Sequence, residues 1–357
     1  MKRLGLFALL ALAVAPAGAP PLAPPMPQAE PPDFQITAEE RAAVIDGSIA
    51  KLNEVYVFPE MAKKMESALR SRVGRGEYRS ITNGHDLARK LTDDLRAVSK
   101  DEHLAVLCFP EGAPERSGPA LSADDLKAER ESLSKINFGF EKVERMEGNI
   151  GYIDIRAFYP PQLAADTASA AMSFVANTDA LIIDLRQNGG GDPAMVSYVL
   201  SYLFDRATHV NDLYSRFENT TRQWWTLASV PGLRFGGQKP VYVLTSHHTF
   251  SGGEEFANDV KTQKRAQLIG EVTGGGSHPT RPFKVSEHFA IGVPYARAIN
   301  PITRTDWEGV GVAPDLQKPA GEALTVAYRL AVEKLLQTET DPERKGQLQS
   351  LLQEKKD

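Results

Sequence analysis

The second half of the sequence alternates short apolar runs with segments of helical periodicity. The apolar runs have the length and residue types of buried strands, and they cover residues 149–155, 180–185, 241–245 and 267–270. Helical patterns cover 163–175 and 193–204, and a third follows Ser251. Strands that alternate with helices are joined by crossover connections and pair in parallel. The sequence therefore predicts an α/β domain on a largely parallel sheet, followed by two short strands at 283–299 and a closing helix at 322–336.

The first folded part of the chain is predicted to be helical. Helical periodicity covers about residues 37–56, 59–73 and 85–98. Thr37 and Glu40 form a capping box at the start of the first helix. The predicted divisions are a helical N-terminal domain at 34–100, an α/β domain at 101–320 and a C-terminal helical segment at 321–357.

The N-terminus has the layout of a secretory signal peptide. Basic residues precede an apolar stretch at 4–14, and small residues follow it where a signal peptidase cleaves. We predict a signal peptide at 1–19, a proline- and alanine-rich linker at 20–33, and a secreted or periplasmic protein. Pro20 is a poor residue for the position after a cleavage site, and an uncleaved segment would tether the chain to a membrane.

Composition and cysteine content exclude several classes of function. The net charge of -5 gives no electrostatic reason to expect a nucleic-acid partner. Cys108 is the only cysteine, so an internal disulfide and a zinc site with cysteine ligands are both excluded. No motif indicates a cofactor or a metal site, and the sequence leaves the oligomeric state open.

Ser251 follows the apolar run 241–245 and begins the next helical pattern. A hydroxyl at such a strand-to-helix turn lies at the carboxyl edge of a sheet, where the first N–H groups of the helix can stabilise an oxyanion. Ser251 also forms a capping box with Glu254, which is a much commoner reason for a serine at this position. Ser251 alone therefore favours a helix cap, and the other motifs decide whether it is a nucleophile.

Three glycines at 189–191 follow the apolar run 180–185, and Asp192 with Pro193 begins the next helix. Glycines allow the positive φ angles of a tight turn. They also leave a backbone N–H uncovered for a substrate carbonyl. The sequence of this segment supports a structural turn and an oxyanion donor about equally. The spacing of the glycines is wrong for a phosphate-binding loop.

A serine nucleophile needs a base, and the sequence has seven histidines. His103 opens a predicted strand after a polar turn, a position that can hold a base on a rigid scaffold. His247 and His248 are close to the serine in sequence, but we expect the turn to splay them away from its hydroxyl. His278 lies in a glycine-rich loop that we expect to be flexible. Glu308 follows a tryptophan in a turn, where it is either a surface residue or a carboxylate that orients an imidazole.

Four motifs in one order resemble the C-terminal processing (tail-specific) serine peptidase family. They are 181–191 (LIIDLRQNGGG), 245–256 (TSHHTFSGGEEF), 270–276 (GEVTGGG) and 308–315 (EGVGVAPD). The segment 137–152 is especially similar to the repeats of interphotoreceptor retinoid-binding protein, which belong to the same branch as tricorn. No PDZ-like insertion is expected, because the segment before Ile150 is too short for one.

The resemblance implies a crotonase-like core of repeated β-β-α units and a serine endopeptidase that forms an acyl-enzyme. Ser251 matches the family nucleophile. Gly190 and Gly252 match the backbone donors of the oxyanion hole. A polypeptide is then the expected substrate, and the sequence leaves the cleavage specificity open.

The resemblance also implies which base the chain uses. The lysine of the tail-specific branch is replaced by Gly275, so a serine–lysine dyad is excluded. The tricorn-like branch instead uses a histidine and a glutamate, which His103 and Glu308 match. Tricorn has a supporting serine just before its histidine, and Glu102 stands at that position here. The implied site is therefore a serine, a histidine and a glutamate.

A second function stays open beside the peptidase. The similarity to retinoid-binding repeats allows a non-catalytic module that binds a hydrophobic ligand such as a retinoid or a fatty acid. The complete set of serine, histidine and glutamate favours the peptidase, since a carrier needs none of the three.

Overall fold

The computed structural model of the protein describes residues 34–114 and 123–354. Its helices are α1 (Ala38–Val55), α2 (Pro59–Gly74), α3 (Gly84–Ser99), α4 (Ala123–Ser134), α5 (Pro161–Val175), α6 (Pro193–Leu200), α7 (Gly252–Thr262), α8 (Ala320–Thr338) and α9 (Pro342–Glu354). Its strands are β1 (Ala105–Cys108), β2 (Phe140–Met146), β3 (Ile150–Ile155), β4 (Ala180–Asp184), β5 (His209–Ser215), β6 (Thr220–Trp225), β7 (Val241–Thr245), β8 (Gln267–Gly270), β9 (Thr280–Lys284), β10 (Phe289–Pro294), β11 (Ala296–Ile299) and β12 (Leu316–Gln317). The predicted signal peptide at 1–19 and linker at 20–33 lie outside the described residues. None of the described helices is long and apolar enough to cross a membrane.

Six strands form the central sheet in the order β12-β8-β7-β4-β3-β2. Neighbouring strands pair in parallel, except for β2 and β3, which pair antiparallel. The α/β fold class and the largely parallel sheet predicted from the alternating elements are therefore confirmed.

Helices cover both faces of this sheet. Leu181 and Ile183 of β4 pack in one apolar cluster with α5, α6 and α7, whereas Ala180 and Ile182 pack in a second cluster with α8 and α9. The two clusters alternate along the strand because successive side chains of a strand point to opposite faces. Burial on both faces explains why the strands appear as continuous apolar runs in the sequence.

The three N-terminal helices do not enclose a core of their own. Their buried side chains share one cluster with Val106 of β1 and with Phe289 and Ile291 of β10. These strands belong to a small antiparallel sheet of order β1-β10-β9, in which Ala105 pairs with Gly292. The apolar cluster of the three N-terminal helices is thus completed by a segment from the second half of the chain.

The structure differs from the sequence prediction in two places. Strands β5 and β6 form a hairpin that was not predicted, and β11 pairs with β5. The segment 283–299 was expected to hold two strands, but it contains parts of three. At Tyr295 the chain leaves the small sheet and joins the hairpin, so β10 and β11 belong to different sheets.

Candidate active site

The glycine turn and Ser251 meet at the carboxyl edge of the central sheet. Strands β4 and β7 are parallel neighbours, so the turns that follow them lie side by side. The Phe250 N–H donates to the main-chain oxygen of Asn188 at 3.0 Å, which joins the two turns directly. The fully buried Asn188 side chain also donates to the Ile155 oxygen of β3 at 2.9 Å. Three adjacent strands therefore fix the position of the serine.

Ser251 has a positive φ of 51° with a ψ of -117°, a backbone conformation that side-chain-bearing residues rarely adopt, immediately before α7. A non-glycine residue holds such a conformation only where its surroundings impose it, and such strain is concentrated at functional sites. The Ser251 N–H donates to Glu254 Oε2 at 2.9 Å, and the Glu254 N–H donates to the main-chain oxygen of Ser251 at 2.9 Å. Ser251 is therefore the residue that caps α7, and it also has a strained backbone and a partly exposed side chain. The two interpretations of this serine are compatible.

The oxyanion donors differ by one residue from those that the resemblance implies. Gly190 cannot serve, because its N–H already donates to Asn188 Oδ1 at 2.9 Å. Within residues 34–114 and 123–354, the N–H groups of Gly191 and Gly252 have no hydrogen-bond acceptor. The two residues touch, since a Cβ on Gly252 would lie 3.0 Å from the Gly191 nitrogen. Gly191 and Gly252 are therefore the pair that can receive an oxyanion.

Glu254 connects the serine turn to the loop at 273–276. Its Oε2 accepts the N–H groups of Ser251 and Gly276 at 2.9 and 2.8 Å, and its Oε1 accepts the Thr273 hydroxyl and the Gly275 N–H at 2.5 and 2.6 Å. Burial raises the pKa of Glu254 to about 7, although these four hydrogen bonds act in the opposite direction. The loop that includes the position of the missing lysine is thus held by a buried carboxyl.

His103 lies beside the serine turn. Its ring stacks on Phe250, the residue before the serine, with ring centroids 4.7 Å apart. Gly276 allows this contact, because a Cβ there would lie 2.5 Å from His103 Cε1. Burial lowers the pKa of His103 to about 4, and the nearby Asp101 carboxylate opposes that shift. The imidazole is therefore neutral at neutral pH, as a proton acceptor must be.

Glu308 contacts a different histidine from the one that the resemblance implies. Its Oε2 lies 3.4 Å from His278 Nδ1 and accepts the Ser277 N–H at 2.6 Å, and no hydrogen bond joins it to His103 among the described residues. Burial and the Asp101 charge raise the pKa of Glu308 to about 7. The expected direct orientation of His103 by Glu308 is therefore not formed in this structure.

His278 is buried, contrary to the expectation of a flexible loop. Its side chain is 3% exposed, and Nδ1 is 2.8 Å from Asp101 Oδ2. Burial lowers the pKa of His278, but the Asp101 carboxylate outweighs burial, so the pKa lies above its usual value. Asp101, His278 and Glu308 place three donor atoms within 4.8 Å of one another, a set that could hold a metal ion.

Two family models match the chain over most of the described residues. Residues 149–318 match peptidase family S41, and residues 37–141 match the N-terminal domain of peptidase S41 in eukaryotic IRBP. The chain belongs to peptidase family S41. The family resemblance derived from the four sequence motifs is thereby confirmed.

Individual relatives of this S41 chain agree with the assignment. Carboxyl-terminal-processing peptidase 2, chloroplastic, of Arabidopsis thaliana is 28% identical over 209 residues, which cover 57% of this chain and 39% of that protein. A candidate peptidase from Parabacteroides merdae has a TM-score of 0.57 at 17% identity, over 82% of this chain and 96% of that chain. Tricorn protease has a TM-score of 0.50 at 14% identity, over 89% of this chain and 37% of that chain. The two structures show a shared fold, and the S41 chain spans well under half the length of the Arabidopsis relative.

Sequence reasoning missed three residues that the structure brings to the candidate site of this S41 chain. Asp101 was treated only as part of a polar turn, although its carboxylate contacts both His278 and the His103 N–H. Gly191 differs from Gly190 in that the Gly190 N–H donates to Asn188 whereas the Gly191 N–H has no acceptor among the described residues, a difference that no sequence pattern encodes. Glu254 had a signal, its place in the capping box, but its contacts with the loop at 273–276 could not be read from that signal.

Proposed function

We propose that this protein is a serine endopeptidase in which Ser251 is the nucleophile. The observation that carries the proposal is the strained backbone of Ser251 beside two N–H groups without acceptors, those of Gly191 and Gly252. A carbonyl carbon attacked by the Ser251 hydroxyl would have its developing oxyanion next to both donors. An acyl-enzyme would form as the amine leaves, and water would then hydrolyse it.

In this proposal His103 accepts the serine proton and returns it to the leaving amine. Its stacking on Phe250, the residue before Ser251, supports this role, and its lowered pKa keeps it neutral before the reaction. The Asp101 carboxylate favours the imidazolium once the proton has arrived. Glu308 is a positioning residue, because it accepts the Ser277 N–H. Ser277 follows Gly276, and Gly276 packs against the His103 ring.

A polypeptide is the proposed substrate, and the predicted signal peptide supports a secreted or periplasmic location. The pocket beside the site is lined by the carboxylates of Glu60, Asp101, Asp306 and Glu308 together with three aromatic or apolar side chains. The strained backbone of Ser251 beside two N–H groups without acceptors favours the peptidase over the alternative, a carrier for retinoids or fatty acids.

Ser251→Ala tests the proposal. Removal of the nucleophile should abolish labelling by a fluorophosphonate probe and reduce hydrolysis of an unfolded protein substrate at least about 1000-fold. His103→Ala should slow labelling by about 100-fold or more, because the serine then lacks its base. Ser350→Ala, which removes an exposed hydroxyl in α9, is the matched control and should react as the wild type does. Equal labelling of Ser251→Ala and the wild type would exclude this mechanism.

A further inference from the structure

The cluster of Asp101, His278 and Glu308 contains more than one hydrogen-bonded pair. His278 Nδ1 lies between two carboxylate oxygens, 2.8 Å from Asp101 Oδ2 and 3.4 Å from Glu308 Oε2. Two atoms of the same side chains, His278 Nε2 and Glu308 Oε1, are buried without any hydrogen-bond partner. Because buried polar atoms are normally satisfied, the unpaired Glu308 Oε1 indicates that an ion or a ligand completes the cluster, whereas His278 Nε2 lies across the ring from Nδ1 and faces away from it.

The spacing of the donor atoms fits a metal ion of small radius. A tetrahedral Zn²⁺ binds oxygen and nitrogen at about 2.0 to 2.1 Å, so its ligand atoms lie roughly 3.3 Å from one another. The two measured separations, 2.8 and 3.4 Å, are within about 0.5 Å of that value. One imidazole and two carboxylates are ligands that Zn²⁺ accepts, and three protein ligands leave one coordination position open.

The surroundings of the cluster also favour a cation. A pocket of about 370 Å³ adjoins it and gives an ion a path from solvent. Glu60 and Asp306 line the same pocket, whereas Lys64 is its one lysine or arginine among the described residues. Tyr56 donates its hydroxyl to Asp101 Oδ2 at 3.0 Å, and the Ser277 N–H donates to Glu308 Oε2. Such outer hydrogen bonds orient carboxylate ligands around a metal.

We infer that Asp101, His278 and Glu308 form a Zn²⁺ site beside the candidate active site. The ion replaces the proton that Nδ1 of the imidazole shares with Asp101, and that proton leaves to solvent. Binding of the ion depends only on these three side chains. Its consequence for Ser251 rests on the proposed function: Asp101 and Glu308 also support His103 and its loop, so a bound ion slows the reaction of the serine.

Calorimetric titration of the metal-free full chain with Zn²⁺ tests the site. The wild type should bind one ion, and Asp101→Asn should weaken binding by more than the 10- to 100-fold typical for loss of an outer partner. Asp101→Asn keeps the side-chain volume, and Zn²⁺ should raise the thermal unfolding midpoint of the wild type only. Co²⁺ in place of Zn²⁺ should give the visible absorption of a tetrahedral ion in the wild type and not in the variant.

Two histidine variants are matched controls. His288 pairs with the single carboxylate of Glu40 at 2.8 Å, and the exposed His247 pairs with Glu271 at 3.0 Å. His288→Ala and His247→Ala should both bind Zn²⁺ as the wild type does. Equal affinity in Asp101→Asn, or loss of binding in His247→Ala, would overturn the assignment. Slower fluorophosphonate labelling in the presence of Zn²⁺ would show that the bound ion affects Ser251. If the wild type binds Zn²⁺ but the probe does not label it, the proposed peptidase function is wrong and the zinc site still stands.

Discussion

Asn188 joins the two turns of the candidate site, and its replacement by aspartate tests that junction. The buried Asn188 amide donates from Nδ2 to the Ile155 oxygen and accepts the Gly190 N–H at Oδ1, both at 2.9 Å. Aspartate has the same shape but no N–H. Asn188→Asp therefore keeps the acceptor for Gly190 and turns a carboxylate oxygen toward the carbonyl oxygen of Ile155.

The cost of this replacement depends on pH. A fully buried carboxyl has its pKa raised by about 3 to 5 units, because burial disfavours the charged form. The protonated carboxyl can donate its O–H to the carbonyl and so replace the amide. Above the unfolded pKa of about 4, each pH unit removes about 1.4 kcal/mol from the free energy of unfolding, until the folded pKa is reached. Asn188→Asp should be within about 1 kcal/mol of the wild type at pH 4 and about 4 kcal/mol less stable at pH 7.

Urea unfolding of the variant and the wild type at pH 4, 5, 6 and 7 measures this difference. Asn219→Asp in the exposed turn between β5 and β6 is the matched control and should stay within about 0.5 kcal/mol of the wild type at each pH. Fluorophosphonate labelling of Asn188→Asp should fall at pH 7, since Asn188 anchors the turn that carries Gly191. A deficit that is the same at pH 5 and pH 7 would refute the reasoning.

Two further changes test other parts of the structure. Gly276→Ala should slow fluorophosphonate labelling at least about 10-fold, because its Cβ would lie 2.3 Å from Phe250 Cζ and must displace the ring stacked on His103. Gly346→Ala, in open space on α9, should change nothing, and equal labelling of the two variants would contradict the packing argument. Asp259 is fully buried with both oxygens unpaired, and burial followed by the Glu255 charge raises its pKa well above the usual value. The folded state therefore holds its proton more tightly and loses stability as pH rises. Asp259→Asn should flatten the decline in urea-measured stability between pH 5 and 8 by up to about 1.4 kcal/mol per pH unit, and parallel curves would contradict this assignment.

The elements of the central sheet could be predicted from the sequence because each carries a local signal. The apolar runs at 241–245 and 267–270 correspond residue for residue to β7 and β8. Burial on both faces gives such strands an unbroken apolar pattern. The hairpin of β5 and β6 lacks this signal, since most of β6 is exposed and its sequence TTRQWW does not alternate. Its strand character depends on pairing with β5, which no local pattern records.

The candidate site could be predicted only in part, for a related reason. Ser251 and the glycine turn each occupy a strand end, and parallel strands bring their carboxyl ends together. The contact of His278 with Asp101 joins residues 177 positions apart in the sequence. Neither residue carries a pattern that indicates the other. The sequence of the loop at 273–280, rich in glycine, suggested flexibility, whereas the carboxyls of the buried Glu254 and of the partly buried Glu308 hold it in place.

The shared core of the N-terminal helices has a consequence for biosynthesis. The helices leave the ribosome early, but β10, which completes their apolar cluster, is synthesised in the second half of the chain. At about 5 to 20 residues per second, the unfinished cluster waits on the order of 10 seconds or longer for its partner strand. During that interval the helices expose the side chains that later pack on Phe289 and Ile291. A chaperone or an export receptor that recognises unfolded apolar segments therefore has time to bind before the chain can close.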